Sequence, residues 1–264
     1  MASIEEELAN LRNNYTFEEL RSAACCKIYA GERLEDNEQV AIKVIERTKD
    51  ILFIDSLPAE ICLLRQLKNE DGVIQIFNYI ECIDGYIIIT EYSSKSMDLC
   101  DYWTTYYPLT MSKVKKIMLQ IVEICIRLQK LNIYHGDLKL ENIIIDPETL
   151  IIKLIDFGLG GYISEISRSR TGGTFIYIPP EVYHSKIYYA EAAHVWAIGI
   201  ILFEIVGKRR ADDSILEKDT ILYSRIGEQY KNVIAKCLKQ NFRKRIKFKD
   251  LMLVIENEWV DSCE

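Results

Sequence analysis

Proline, glycine and histidine are all scarce in this sequence, and each scarcity excludes something. Five Pro and twelve Gly among 264 residues leave no stretch that reads as a long linker. The three histidines stand at 135, 184 and 194. The eight cysteines (25, 26, 62, 82, 100, 125, 237 and 263) form no C-x-x-C pair, so zinc-ligand spacing is absent. The cysteines read instead as reduced core or surface residues of a cytosolic or nuclear protein. Residues 1–7 are acidic and lack an apolar centre, so no signal peptide is expected. The longest apolar stretch, residues 192–206, is broken by His194 and Glu204 and is shorter than a bilayer requires. It reads as a buried core helix, and no membrane partner is expected. Positive charge is also short: 33 Lys and Arg face 40 Asp and Glu, a net charge of −7. Such a surface repels nucleic acid and anionic lipid but suits basic peptides.

What remains is an ordinary globular composition, 49% hydrophobic and 28% charged, which excludes disorder, collagen and coiled coil. The length fits one large domain or two lobes sharing a cleft. There is no internal repeat and no low-complexity tract. The first third is strand-rich. Residues 39–45 and 85–90 are β-branched runs, and Asp36-Asn37 makes a turn before the first of them. One helix interrupts at 58–67, with Ile61, Leu64 and Leu67 at helical spacing. Helices dominate after Thr110. Residues 112–131 place Val114, Ile117, Met118, Ile121, Ile124 and Leu128 on one face. Two short strands, 142–145 and 151–155, then flank the polar turn Asp146-Pro147-Glu148. The expected fold is α+β and bilobal: an extension over 1–14, a small β-rich N-lobe with one main helix over 15–91, and a hinge with a larger helical C-lobe over 92–264.

Four chemistry-bearing segments appear in order. Val40-Ala41-Ile42-Lys43 places a lysine inside an apolar strand, and Glu60 lies on the helix that follows. His135-Gly136-Asp137-Leu138-Lys139-Leu140-Glu141-Asn142 comes after the long amphipathic helix. Asp156-Phe157-Gly158 comes after the second strand of the tight hairpin. Singly, the lysine reads as a snorkelling edge residue and the glutamate as part of a solvated face.

Together, in this order and spacing, the four resemble the protein-kinase signature set, over residues 15–259. The resemblance implies phosphoryl transfer from ATP with Mg²⁺ to a protein hydroxyl, a reaction catalysed mainly by positioning and charge. Lys43 is then expected to hold the α- and β-phosphates, with Glu60 fixing its ammonium. Asp156 and Asn142 are the expected metal ligands. Asp137 is expected to orient the substrate hydroxyl, and Lys139 to neutralise the transferring phosphoryl group. Residues 173–181 (Gly-Thr-Phe-Ile-Tyr-Ile-Pro-Pro-Glu) resemble the end of an activation segment. Thr174 there, together with Lys139 of the Asp137 segment, points to the Ser/Thr class. Arg245 matches the arginine that pairs with the closing glutamate, Glu181. Leu64, Ile76, His135 and Phe157 fall where the family stacks apolar residues, which makes His135 core rather than catalytic.

Within the kinases the sequence is most similar to the Pim Ser/Thr kinases. The likeness rests on the ungapped spacing from Cys26-Lys27-Ile28-Tyr29-Ala30-Gly31 to Lys43, on residues 97–102 (Met-Asp-Leu-Cys-Asp-Tyr), on Pro179-Pro180-Glu181, and on residues 192–196 (Ala-Ala-His-Val-Trp). It implies a preference for basic peptides, with Asp98, Asp101 and Glu141 as anchors. It also implies activity without activation-loop phosphorylation, and a monomer. His135-Gly136-Asp137 also resembles the vaccinia-related kinase group. Thr90 takes the gatekeeper place before Glu91-Tyr92-Ser93, where Ser93 keeps the backbone donor that a Pim proline lacks. Ala23, Cys26, Ile28, Ala41, Thr90, Glu91 and Ser93 complete the expected nucleotide contacts.

The sequence departs from the family at three places. Arg21, Ala23 and Cys26 occupy the glycine positions of the phosphate-covering loop, where glycine lets backbone approach phosphate closely. Weakened or unusual ATP binding is the expectation. Gly136 replaces the arginine that grips a phosphorylated loop residue, which leaves Ser164, Ser167, Ser169 and Thr171 as weak regulatory candidates. His194 replaces a bracing aspartate that Pim kinases also lack, so this change is given no weight. A pseudokinase scaffold is the competing reading, motivated by the glycine-free loop and opposed by the five intact charged and amide groups. A small-molecule kinase of similar fold is disfavoured by the full activation segment.

Overall fold

A computed structural model describes residues 1–23, 26–48, 50–163, 173–185, 188–211 and 226–259. The fold is α+β, and the chain divides into two units, Met1–Ser96 and Met97–Glu264.

The first unit is built on a five-stranded antiparallel sheet in the order β1-β2-β3-β7-β6. Its strands are β1 (Tyr15–Ala23), β2 (Cys26–Arg33), β3 (Gln39–Glu46), β6 (Ile76–Glu81) and β7 (Gly85–Glu91). A two-stranded ribbon of β4 (Phe53–Ile54) and β5 (Leu57–Pro58) precedes helix α2 (Ala59–Gln66). Strand alternation divides the sheet's side chains between two faces. Val40, Ile42 and Val44 of β3 pack in one core with Ile87 and Ile89 of β7. That core also contains Ile4 and Leu11 of helix α1 (Ile4–Leu11), which lies within residues 1–14. Ser3 and Glu6 form a capping box at the start of α1, and the Ile4 N–H donates to Asp84 Oδ1 at 2.8 Å. Covering that face leaves the opposite one, with Ala41 and Lys43, for other work.

The second unit is mainly helical. Short strand β8 (Met97–Asp98) leads into α3 (Leu99–Tyr106), and Thr110 caps the long helix α4 (Met111–Lys130). The α4 stripe expected from periodicity is buried: Val114, Ile117, Met118, Ile121, Ile124, Cys125 and Leu128. β9 (Ile133–Tyr134) opens the loop that carries Asp137. A single 3-10 turn (Leu140–Asn142) then leads into the hairpin of β10 (Ile143–Ile145) and β11 (Ile152–Leu154), which pairs with β8. β12 (Gly161–Tyr162) pairs with β9. Helices α5 (Pro180–Ser185), α6 (Ala190–Gly207), α7 (Glu228–Cys237) and α8 (Phe248–Glu258) complete the unit.

Helix α6 is the one described helix long and apolar enough to cross a membrane. It is buried over 83% of its apolar window, as a helix hydrophobic on every side must be when it forms a protein core. Its polar side chains are placed with purpose: His194 and Glu204 are both buried and both hydrogen-bonded. Ser164, Ser167, Ser169 and Thr171 lie outside the described residues, as do Cys25 and Cys263.

Candidate active site

In the first unit, register sets the site. Ile28 pairs with Lys43, Lys43 with Ile88, and Ala41 with Ala30 and Thr90. Directly paired residues project to the same side of a sheet, so Ile28, Ala41, Lys43 and Thr90 share the face turned away from α1. Cys26, paired with Ile45, falls on that face too. Ala23 ends β1 and pairs with Cys26, and Arg21 pairs with Ile28 beside a bulge in β1.

Lys43 Nζ lies 2.7 Å from each carboxylate oxygen of Glu60. The lysine side chain is 19% exposed and the glutamate 7%. Glu60 stands in the first turn of α2, where the helix dipole favours a carboxylate. A pair so withdrawn from water adds little net stability, because desolvation offsets the attraction, but it fixes the position of an ammonium.

Glu91 sits on the other side of the strand, and its carboxylate accepts the Gln75 N–H at 2.8 Å. Its side chain therefore has a structural contact of its own. Ser93 is committed to a turn: its Oγ accepts from the Lys95 N–H and its carbonyl from the Ser96 N–H.

In the second unit, Asp137 is the centre of a polar network. Its Oδ2 is 2.8 Å from Lys139 Nζ and 3.0 Å from Asn142 Nδ2, while its Oδ1 accepts the Thr174 N–H at 3.2 Å. Asn142 Nδ2 also donates to the Asp137 carbonyl at 2.8 Å, and Lys139 Nζ donates to Thr174 Oγ1 at 2.9 Å. Lys139, Asn142 and Thr174 thus hold one carboxylate from three directions. Gly136, just before it, has φ +87°, a conformation that costs a glycine little.

Asp156 follows β11 with φ +64°, an uncommon state for a residue with a side chain. The bonds around it hold this geometry: the Ile155 N–H donates to the Asn142 carbonyl at 3.0 Å, and the Gly160 N–H to the Phe157 carbonyl at 2.8 Å. Phe157 is fully buried, with its ring centroid 4.6 Å from that of His135.

His135 joins these segments. Its Nδ1 accepts the Asp137 N–H at 3.2 Å, which assigns the ring proton to Nε2, and Nε2 donates to the Ile155 carbonyl at 2.8 Å. One neutral imidazole therefore ties the residue before Asp156 to the amide of Asp137. Burial pushes its pKa below the ordinary histidine value. The His135 backbone N–H in turn donates to His194 Nε2 at 3.2 Å. Sequence reasoning gave His194 no weight. The available signal was a lone polar ring in an otherwise apolar helix, which must find a partner when buried.

The acidic residues cluster around Cys100, which feels the charges of Asp98, Asp101 and Glu141. Asp98 Oδ1 caps α3 by accepting the Asp101 N–H at 2.8 Å, and burial raises the Asp98 pKa. Glu141 Oε1 is 2.5 Å from Arg210 Nη2, a partner the sequence gave no reason to expect. Elsewhere, Glu181 and Arg245 form a buried bidentate pair at 2.7 and 2.9 Å.

As for a metal, Asn142 commits its amide nitrogen to Asp137, so Oδ1 is the atom left to face a cation. Among the described residues no group of three or more His, Cys, Asp and Glu side chains is placed to hold an ion. Asn142 Oδ1 and the Asp156 carboxylate are both oxygen donors, the type a hard cation such as Mg²⁺ accepts.

Residues 18–260 match the model of the protein kinase domain. The chain is 34% identical over 197 residues to serine/threonine-protein kinase 1 of African swine fever virus, covering 73% of this chain and 66% of the viral protein. It is 30% identical over 246 residues to serine/threonine-protein kinase pim-2 of Danio rerio, covering 84% of this chain and 77% of that one. It is 27% identical over 264 residues to serine/threonine-protein kinase prk-2 of Caenorhabditis elegans, covering 96% and 59%. The chain thus spans just under two thirds of the viral relatives' length.

Proposed function

Since the chain belongs to the protein kinase family, we propose that it is a Ser/Thr protein kinase that transfers the γ-phosphoryl group of Mg-ATP to basic protein segments. The observation that carries this reading is the Asp137 carboxylate held by Lys139, Asn142 and the Thr174 amide.

In this reading Lys43, fixed by Glu60, holds the nucleotide's phosphates. Asn142 Oδ1 and Asp156 hold Mg²⁺, which neutralises phosphate charge when bound. Asp137 accepts a hydrogen bond from the substrate hydroxyl and aligns it. Lys139, 2.8 Å from the Asp137 carboxylate, remains close enough to offset charge at the same place. Such a site works by position and charge, and Lys43, Asp137 and Lys139 are already held in place.

Two finer points belong to the same reading. Gly136 stands where an arginine would receive a phosphorylated loop residue, and this supports activity without that modification. The net charge of −7 and the cluster of Asp98, Asp101 and Glu141 support a basic substrate. Cys82, Cys100, Cys125 and Cys237 are free thiols, which supports work in a reducing compartment, the cytosol or nucleus.

The test is phosphorylation of matched basic peptides that differ only in the acceptor residue. Transfer to Ser and Thr but not Tyr is expected. Exclusive transfer to Tyr contradicts the class assignment, and binding of ATP without any transfer favours the scaffold reading.

A further inference from the structure

Arg210 sits where a basic substrate is expected to bind. Lys208, in the left-handed conformation, ends α6, and two residues later Arg210 turns into the acidic cluster of its own unit. Its Nη2 is 2.5 Å from Glu141 Oε1, its Nε is 3.4 Å from Glu204 Oε1, and its Nη1 donates to Cys100 Sγ at 3.4 Å. A single guanidinium therefore spans two carboxylates.

The two carboxylates differ in character. Glu204 is fully buried. Its Oε2 accepts from the Tyr177 hydroxyl, and its Oε1 accepts the Ala211 N–H at 2.8 Å. Glu204 is thus a fixed floor. Glu141 is partly exposed, and its second oxygen, Oε2, is enclosed without a hydrogen-bond partner among the described residues. Asp98 and Asp101 add negative charge around the same Cys100. The cluster therefore keeps an excess of negative charge and an acceptor oxygen still to be satisfied, even with Arg210 in place.

Arg210 is held only moderately. Its side chain is 42% exposed and that of Glu141 32%, and an exposed pair of this kind is worth about 1 kcal/mol or less. Glu204 is 1% exposed, but it keeps the Tyr177 hydroxyl and the Ala211 N–H if the guanidinium leaves. A guanidinium from another chain can make the same planar contacts, because the carboxylate fork selects the group and not the chain that carries it.

We propose that Arg210 is an in-chain competitor for an arginine subsite formed by Glu141 and Glu204. A substrate arginine enters by displacing it, and the chain's preference for arginine at that one substrate position is held down as a result. This inference rests on the proposed reading that basic protein segments are the substrates.

The experiment is a binding titration that needs no turnover, by fluorescence anisotropy with the full chain. Labelled peptides carry Arg or Ala at each position around a Ser acceptor, and wild type is compared with Arg210→Ala, Arg210→Gln and the double variant Glu141→Gln/Arg210→Ala. Thermal melts establish folding, and Arg210→Gln, which keeps a donor for Glu204, decides the matter if Arg210→Ala is unfolded. The expected result is an Arg-over-Ala preference about tenfold larger in the Arg210 variants at one peptide position, lost again in the double variant. If wild type and variants prefer Arg equally, the competitor role is overturned while the basic-substrate reading stands. A gain that survives Glu141→Gln also overturns it. If no form prefers Arg at any position, both the competitor role and the basic-substrate reading fail.

Discussion

The His194 ring accepts the backbone N–H of His135 at 3.2 Å, so a side chain of helix α6 holds the start of the loop that carries Asp137. His135 is fully buried, and His194 is 3% exposed. Replacing His194 with Leu leaves a buried amide without its acceptor, at a cost of about 1–3 kcal/mol. Urea unfolding is expected to show that loss. Steady-state kinetics are expected to show a lower kcat with little change in KM for ATP, because the loop and not the nucleotide contact is disturbed. His194→Asp, which restores an acceptor, is expected to recover part of both. Equal kinetics in His194→Leu and wild type would contradict the bracing role.

The buried His135 imidazole predicts a pH dependence of stability. Burial lowers its pKa in the folded state below the ordinary value of 6.5. The unfolded chain therefore takes up the proton first as pH falls, and stability is lost on acidification through about 6.5. Urea midpoints measured between pH 7.5 and 5.5 are expected to fall in wild type. The fall is expected to be shallower in His135→Phe, which keeps a ring against Phe157 and has no titrating group. An unchanged slope in His135→Phe would place the effect elsewhere.

Glu181 and Arg245 are almost fully withdrawn from water, with side chains 6% and 0% exposed. Removing either partner strands a buried charge, and Glu181→Ala or Arg245→Ala is expected to lower stability by about 3–5 kcal/mol. Glu181→Leu with Arg245→Met removes both charges together and is expected to cost less than either single change. Denaturant titration of the three variants checks this. Additive losses in the double variant would argue against a coupled pair.

Gly136 at φ +87° predicts that a side chain there is strained. Gly136→Arg, which introduces the residue many kinases carry, is expected to lower stability by about 1–2 kcal/mol, and Gly136→Asn by less, since Asn tolerates this region better. Thermal melts compare the two. Equal stability of wild type and Gly136→Arg would show that the loop relaxes freely.

The periodic elements could be read directly from the sequence. The stripe of α4, the strand carrying Lys43 and the hairpin before Asp156 all lie within a residue or two of their expected bounds, because each follows from local alternation or helical spacing. The four motif segments could be read by another route, from their order and spacing together rather than from periodicity. Long-range pairings could not. Nothing near residue 4 announces that Ile4 will donate its N–H to Asp84, and nothing near Glu141 announces Arg210. Asp98, expected as a substrate anchor, is found capping α3 through its carboxylate, a local role that the anchor expectation left out. His194 was legible as an oddity in an apolar helix, but its use became clear only when α6 met the His135 amide.

The central claim is that the groups gathered around Asp137, together with the Lys43–Glu60 pair and Asp156, transfer phosphate despite a loop without glycines. Its most direct test is transfer of labelled phosphate from ATP to an Arg-rich peptide at saturating Mg²⁺, with Lys43→Met and Asp156→Ala as controls. We expect wild-type transfer well above both controls, with a fall of at least about a hundredfold in each variant, as loss of a group stabilising the transition state entails. Wild-type transfer no higher than that of the two variants would contradict the account and leave a kinase fold that does not act as one.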